Sequence, residues 1–214
     1  GDLFFALSGK VYDGRDFIKD ALSKGANAIL TDDRPIDQQL ITAAPILQTN
    51  NPRQVMAKVA ARFWPQQPGL IGAVTGTNGK TSTVEFMRQI WERANWPAAS
   101  IGTIGIRGID IHNASTPLAD VPQLTTPDSI CLHATVAAIA KQGLMHMAIE
   151  ASSHGLQQYR LDGLNVHVAG FTNLSHDHLD HHCDMNDYFS AKARLFEILL
   201  SEGGSAVINI DDAY

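Results

Sequence analysis

The chain has 214 residues, 44% of them hydrophobic and 7% aromatic, enough apolar material for one large domain or two smaller ones. Its 16 Lys plus Arg against 22 Asp plus Glu leave a net charge of −6, which argues against a general nucleic-acid binder, because such a protein carries a basic field. Two cysteines, Cys131 and Cys183, argue against a disulfide framework and for a reducing cytoplasm, and no apolar run approaches membrane-spanning length.

The opening Gly1-Asp2-Leu3-Phe4-Phe5 has neither the basic leader nor the cleavage pattern of a signal peptide. Phe17 to Lys24 reads as a helix with Phe17, Ile18, Ala21 and Leu22 on one side, stopped by Gly25. Ala28 to Thr31 and Pro45 to Leu47 read as short strands. Asn51-Pro52 is a helix start, a cap residue followed by proline at the first helical position, and Val55, Met56, Val59, Ala60 and Phe63 form its apolar stripe. Pro65-Gln66-Gln67-Pro68-Gly69 breaks that helix and is the linker, giving expected domains 1–66 and 67–214. Beyond it come a strand from Leu70 to Val74, a glycine loop, and a helix from Lys80 to about Ala94. Gly102, Gly105 and Gly108 do not make a dinucleotide fingerprint and read as turns. Thr126-Pro127 is expected to cap a helix to about Gln142. Strands follow at Leu144 to Glu150 and Val166 to Phe171, then a helix from Asp184 to about Leu200 and a last strand from Ala206 to Ile210. Strands alternating with helices imply an α/β fold: a small N-terminal α/β domain followed by a wound, mostly parallel sheet. Stopping just after a strand, at Asp211 to Tyr214, suggests a fragment.

Gly76-Thr77-Asn78-Gly79-Lys80-Thr81 lies between a strand and a helix. Glycines let the loop turn its N–H groups toward an anion, and the helix adds its positive end. Lys80 can reach the β- and γ-phosphates, and the Thr81 hydroxyl can bind Mg²⁺. The general signature wants another glycine five residues before Gly79, where Val74 stands. Glu150 ends a strand where a wound sheet gathers its ligands, so it is either a Mg²⁺ ligand or a plain strand-ending charge. His176 to His182 is rich in His and Asp, but without spaced Cys/His pairs zinc fits less well than a loop lending one or two groups to Mg²⁺–ATP. Lys192 stands on the face carrying Met185, Tyr188, Phe189, Leu195, Phe196 and Leu199. Such a lysine either snorkels outward or is buried against a partner. A buried, neutral amine would be a nucleophile able to take up CO₂ as a carbamate.

These motifs resemble those of the Mur ligases. Thr75 to Thr81 has the loop form shared by Mur ligases and folylpolyglutamate synthases, with the asparagine and without the first glycine. Glu150 to Leu156, Phe171 to Leu174 with Asp177 to Asp180, and Ser190-Ala191-Lys192 with Leu195-Phe196 resemble the three segments that follow it in that family. The resemblance implies ATP binding by Gly76, Thr77, Asn78, Gly79, Lys80, Thr81 and Ser82. It also implies two Mg²⁺ ions held by Thr81, Glu150, His178 and Lys192 as its carbamate, with Lys80, Glu150, His178 and Lys192 catalytic. Thr125 to Asp128 and Gln157 to Arg160 resemble the branch that adds the third residue to the cell-wall peptide. Thr125, Thr126, Ser152, Gln158 and Arg160 would then contact UDP-MurNAc-L-Ala-D-Glu. The opening through Arg15 resembles the family's uridine-binding domain, with Lys10, Val11 and Tyr12 at its uridine loop. The implied reaction joins a diamino acid, meso-diaminopimelate ahead of L-lysine, to the D-glutamate side chain through an acyl phosphate. No nucleic acid, membrane insertion or particular oligomeric state is implied. Other ligases of the superfamily, a non-catalytic nucleotide-binding module and a P-loop kinase are the alternatives.

Overall fold

The computed structural model describes residues 2–9, 11–37, 40, 42–108, 124–175 and 182–211. The chain divides into two compact units, Gly1–Met56 and Ala57–Tyr214.

In the first unit β1 (Asp2–Ala6), β2 (Ala26–Thr31) and β3 (Ile46–Gln48) form a parallel sheet in that order. A short 3₁₀ turn, Gly14–Phe17, capped by the Asp13 carboxylate accepting the Arg15 N–H, leads into α1 (Ile18–Ser23). Ala6, Ile18 and Ile29 make the core, with Phe4, Leu22 and Ile46 packed on it. Phe17, expected on the inner face, lies half exposed because the 3₁₀ turn rotates it off the α1 stripe. Asp32 gathers the ends of the sheet, pairing with Arg15 at 2.9 Å and Arg34 at 2.6 Å. The expected helix after Asn51-Pro52 is α2 (Pro52–Phe63), which spans the division between units. Its buried residues are Ala57 and Ala60, whereas Phe63 points outward.

The second unit is built on a six-stranded sheet in the order β6-β5-β7-β4-β8-β9. These are β4 (Leu70–Thr75), β5 (Ala98–Gly102), β6 (Gly105–Arg107), β7 (His146–Glu150), β8 (Val166–Phe171) and β9 (Leu200–Ile208). All neighbours are parallel except β5 and β6, which form a hairpin. Strand alternation sorts the side chains. Ile71, Ala73, Ile101, Met147 and Ile149 face one side, against Leu132, Val136 and Ile139 of α4 (Ser129–Lys141). Val74 and Ala148 face the other, against Val84, Met87 and Trp91 of α3 (Lys80–Arg93). Helices therefore cover both faces of a wound sheet, as the alternating pattern implied.

Several boundaries differ from the sequence reading. The cap of α4 is Asp128, accepting the Cys131 N–H at 3.0 Å, because Thr126 is occupied elsewhere. The helix after Asp184 is α6 (Met185–Arg194), which loosens into a π-helical turn at Leu195–Leu199. Strand β9 then starts at Leu200, ahead of the expected Ala206. Its register shifts opposite Val166/Val168, so Ser201 to Gly204 look like loop in sequence while lying in an irregular strand. Phe189, expected on the inner face of α6, is 41% exposed and meets the Phe171 ring at a tilt, with centroids 6.3 Å apart.

Candidate active site

At the C-terminal ends of β4, β7 and β5 a cleft of about 400 Å³ opens in the second unit. One wall is Thr77 to Thr81, running from the loop after β4 into the first turn of α3. Gly76 has φ 140°, and an added Cβ would overlap the Thr172 hydroxyl, so both conformation and space require glycine there. Val74, which takes the place of the missing first glycine, is buried in the α3-side core.

The loop is anchored to the end of β8. The Thr77 N–H donates to the Asn173 carbonyl at 2.8 Å, and the Asn78 N–H donates to Asn173 Oδ1 at 2.9 Å. The Thr172 hydroxyl donates to the Asn78 carbonyl at 2.6 Å. Two loop amides expected to face an anion are therefore spent on β8, leaving the amides at the start of α3 for that role. Lys80 Nζ donates to the carbonyls of Gly76 and Thr77, each at 2.8 Å. Ser82 is exposed on the first turn of α3.

Lys192 does not snorkel. It is 1% exposed, donates to the same Gly76 carbonyl at 2.8 Å, and lies 4.3 Å from the centre of the Tyr188 ring. Two amine side chains thus converge on one carbonyl oxygen. The Tyr188 hydroxyl lies 3.2 Å from the Thr77 hydroxyl, tying α6 to the loop a second time.

Glu150, at the end of β7, is 1% exposed yet lines the cleft. Its Oε1 accepts the Thr103 N–H at 2.8 Å, and its Oε2 accepts the Thr103 hydroxyl at 3.2 Å. Beside it, the Thr126 hydroxyl donates to the Glu150 carbonyl at 2.8 Å and accepts the Ser152 N–H at 3.0 Å. Ser152 caps α5 (Ser153–Gln157) through the Gly155 N–H. Arg160 Nη1 donates to the Thr126 carbonyl at 2.6 Å, and its guanidinium also holds Gln158 Oε1. A hydrogen-bonded chain from buried Ser153 and His182 to half-exposed Asp187 joins α5 to α6, with Ser153 Oγ to His182 Nε2 at 3.0 Å and His182 Nδ1 to Asp187 Oδ2 at 3.2 Å.

One cleft therefore brings together Thr77 to Thr81, Thr125, Thr126, Glu150, Ser152, Arg160 and Lys192, with Gln158 bonded to Arg160 behind it. Val11 and Tyr12 belong to the first unit and are 81% and 72% exposed. Lys10 and His178 lie outside the described residues. Thr103, Asn173 and Tyr188 are structural partners that sequence reasoning did not single out for the site. Asn173 stands inside the Phe171 to Leu174 motif and Tyr188 on the inner face of α6, but Thr103 has no signal beyond the glycines around it.

Fold and cleft define a wound α/β protein with a phosphate-type loop at the carboxyl ends of its strands. Residues 74–214 match the Mur ligase middle domain, and residues 1–64 match the catalytic domain of the Mur ligase family. The chain belongs to the Mur ligase family. It is 50% identical over 211 residues to the UDP-N-acetylmuramoyl-L-alanyl-D-glutamate–2,6-diaminopimelate ligase of Bradyrhizobium diazoefficiens, covering 99% of this chain and 41% of that protein. It is 44% identical to the ligase of the same name from Agrobacterium fabrum, covering all of this chain and 41% of that one. A solved structure of a ligase of that name superposes with a TM-score of 0.79 at 33% identity, covering 100% of this chain and 41% of the other. The Thermotoga maritima MurF ligase in complex with ADP shares the fold, with a TM-score of 0.58 at 21% identity over 99% of this chain and 43% of that one. The chain thus spans about 41% of the length of these curated relatives.

Proposed function

We propose that this chain is part of an ATP-dependent ligase of the MurE type, the UDP-N-acetylmuramoyl-tripeptide synthetase. It would join meso-diaminopimelate to the D-glutamate side chain of UDP-MurNAc-L-Ala-D-Glu in the cytoplasm. The observation that carries this reading is the single cleft holding the Gly76–Thr81 loop, Glu150, Lys192 and the bonded set Thr126, Ser152, Gln158 and Arg160. The diaminopimelate ligase names of its relatives support the choice of amine. The family-model boundaries, at 64 and 74, support a division near residue 66, on which residues 1–66 would be the UDP-substrate domain and 67–214 the ATP domain. Among the described residues, no helix is long and apolar enough to cross a membrane.

The cleft suits this chemistry. The amides at the start of α3 and the Lys80 ammonium would hold the β- and γ-phosphates of ATP, with the γ-phosphorus toward the substrate wall. Arg160 would take an anionic group of the sugar-peptide while Thr125, Thr126 and Ser152 set its position. The D-glutamate carboxylate would attack the γ-phosphorus, releasing ADP and forming an acyl phosphate. The diaminopimelate amine would then attack the acyl carbon, expelling phosphate and losing a proton as the amide forms. The Thr81 hydroxyl and the Glu150 carboxylate are hard oxygen donors that fit Mg²⁺, as would the oxygens of a carbamate on Lys192. Bound there, the ions would offset the charge developing between the phosphates. A carbamate would also replace the convergence of two amine side chains at the Gly76 carbonyl with an anion beside the Lys80 cation.

In the full-length enzyme, phosphate release from ATP should require both UDP-MurNAc-L-Ala-D-Glu and meso-diaminopimelate. Lys80→Ala should lower it by about 10²- to 10³-fold. Amine-independent phosphate release would point to an ATPase, amine-independent ADP formation without phosphate release would point to a kinase, and near-normal turnover of Lys80→Ala would remove the loop from the mechanism.

A further inference from the structure

The β5–β6 hairpin supplies a contact that the mechanism above does not use. Gly102 pairs with Gly105, leaving Thr103 and Ile104 at the tip, with Thr103 at the cleft end of β7. Thr103 grips both oxygens of Glu150, through its N–H at 2.8 Å and its hydroxyl at 3.2 Å. The same hydroxyl lies 3.1 Å from the hydroxyl of Thr125. An added Cβ on Gly102 would overlap Glu150 Oε1 and stand 2.8 Å from Glu150 Cγ, so the strand beside the acid has been left without a side chain.

Hydrogen-bond accounting gives this chain a direction. A carboxylate only accepts, and a threonine hydroxyl has one proton to give. The Thr103 proton goes to Glu150 Oε2, so in the contact between threonines Thr125 is the donor. With its proton spent, Thr125 has only lone pairs to offer a ligand.

We propose that Thr103 is a positioning residue that couples Glu150 to the substrate wall, and that it makes Thr125 an acceptor selective for a donor group of the ligand, an amide N–H or a hydroxyl. This rests on the reading of Glu150 as the acid of the Mg²⁺–ATP site. The peptide amides and sugar hydroxyls of the proposed substrate are donors of the required kind. A substrate group docking on Thr125 would thereby steady Thr103 and the Glu150 carboxylate, linking occupancy of the acceptor site to the geometry of the nucleotide site.

The test uses the full-length enzyme with Thr103→Val, which keeps the N–H and the shape but removes the hydroxyl, and Thr103→Ser, which restores the hydroxyl. Calorimetric ADP binding across a Mg²⁺ series reads the Glu150 arm, and KM against kcat for the sugar-peptide reads the Thr125 arm. Thr103→Val should raise the Mg²⁺ needed for half-maximal ADP binding about 10-fold, as expected for losing a hydrogen bond to a charged group. It should also raise the sugar-peptide KM by about 5-fold, the loss of a neutral hydrogen bond. Thr103→Ser should return both to within about 2-fold of wild type. Gly102→Ala, which displaces the carboxylate that accepts the Thr103 proton, should raise the Mg²⁺ requirement and, through Thr103, the sugar-peptide KM as well. If Glu150→Gln raises the Mg²⁺ requirement but Thr103→Val changes neither readout, the coupling is wrong and the Glu150 reading survives. If Glu150→Gln leaves the Mg²⁺ requirement unchanged, both fall.

Discussion

Lys192 illustrates how much a single residue can report. Its place on an apolar helical face left two outcomes open in sequence, and the fold selects burial, against the Tyr188 ring and the Gly76 carbonyl. A buried lysine needs a partner, and here that partner is the main chain of the phosphate loop itself. Lys192→Ala in the full-length enzyme should therefore lower turnover by about 10²-fold or more. If a carbamate is the working form, added formate or acetate should restore part of the activity by supplying carboxylate oxygens in the vacated space. Loss of activity with no rescue, in a variant of unchanged melting temperature, would leave Lys192 as a loop-positioning amine and end the carbamate reading. Glu150 was legible for a related reason, since an acid closing an apolar strand must face either solvent or a ligand. Thr103 was not legible, because its role depends on a hairpin whose strands are too short to carry a pattern: β6 has three residues, Gly105–Arg107.

At the scale of elements, α6 serves both walls of the cleft. Lys192 reaches the phosphate loop, and two residues on, Arg194 reaches the turn after α5. Arg194 makes a two-pronged pair with Asp162, both bonds 3.0 Å, donates to the Leu156 carbonyl at 2.9 Å, and stacks 4.3 Å from the Tyr159 ring. Tyr159 has φ 59°, a left-handed conformation costly for a bulky residue, and it sits between Gln158 and Arg160. Arg194 thus helps hold the backbone that aims the proposed substrate contacts. Arg194→Lys keeps the charge but loses the fork, so the sugar-peptide KM should rise several-fold with kcat little changed. Arg194→Ala should cost about 2 kcal/mol in a urea melt, less than a fully buried pair because Arg194 keeps some exposure. An unchanged KM in Arg194→Lys would reduce the pair to a purely structural one. The long elements of this unit were readable because α3 and α4 are amphipathic or wholly apolar over three turns or more. The irregular join from α6 to β9 was not, since Leu195–Leu199 keeps a helical pattern while its hydrogen bonds widen, and Ser201-Glu202-Gly203-Gly204 has turn-like composition inside a strand.

For the whole molecule, the two units should respond to acid in different ranges. In the second, His133 on α4 is fully buried, and its Nε2 lies 2.9 Å from the Asp162 carbonyl. A carbonyl accepts, so Nε2 carries the proton, and the buried Nδ1 has no hydrogen-bond partner among the described residues. Burial pushes this imidazole below its ordinary value, against the opposing pull of the Asp162 carbonyl and charge. The unfolded chain then binds the proton more readily than the folded one. Stability from His133 is full above the ordinary imidazole pKa, near 6.5, and declines as pH falls below it. In the first unit the Arg34 hydrogen bond, helped by the charge of Arg15 and opposed by partial burial, holds Asp32 down to about 2. That contribution is present above the unfolded carboxylate range, about 3.9, and is lost only as pH falls from there through about 2. The tryptophans separate the two responses, because Trp64, Trp91 and Trp96 all belong to the second unit. The urea midpoint followed by tryptophan fluorescence should therefore fall between pH 7.5 and 5.5, a range in which Asp32 stays ionised. His133→Gln, which keeps a donor for the Asp162 carbonyl but does not titrate, should flatten that slope. A wild-type midpoint that does not move over this range, or a His133→Gln slope equal to wild type, would show that the buried imidazole does not set the acid response of this unit.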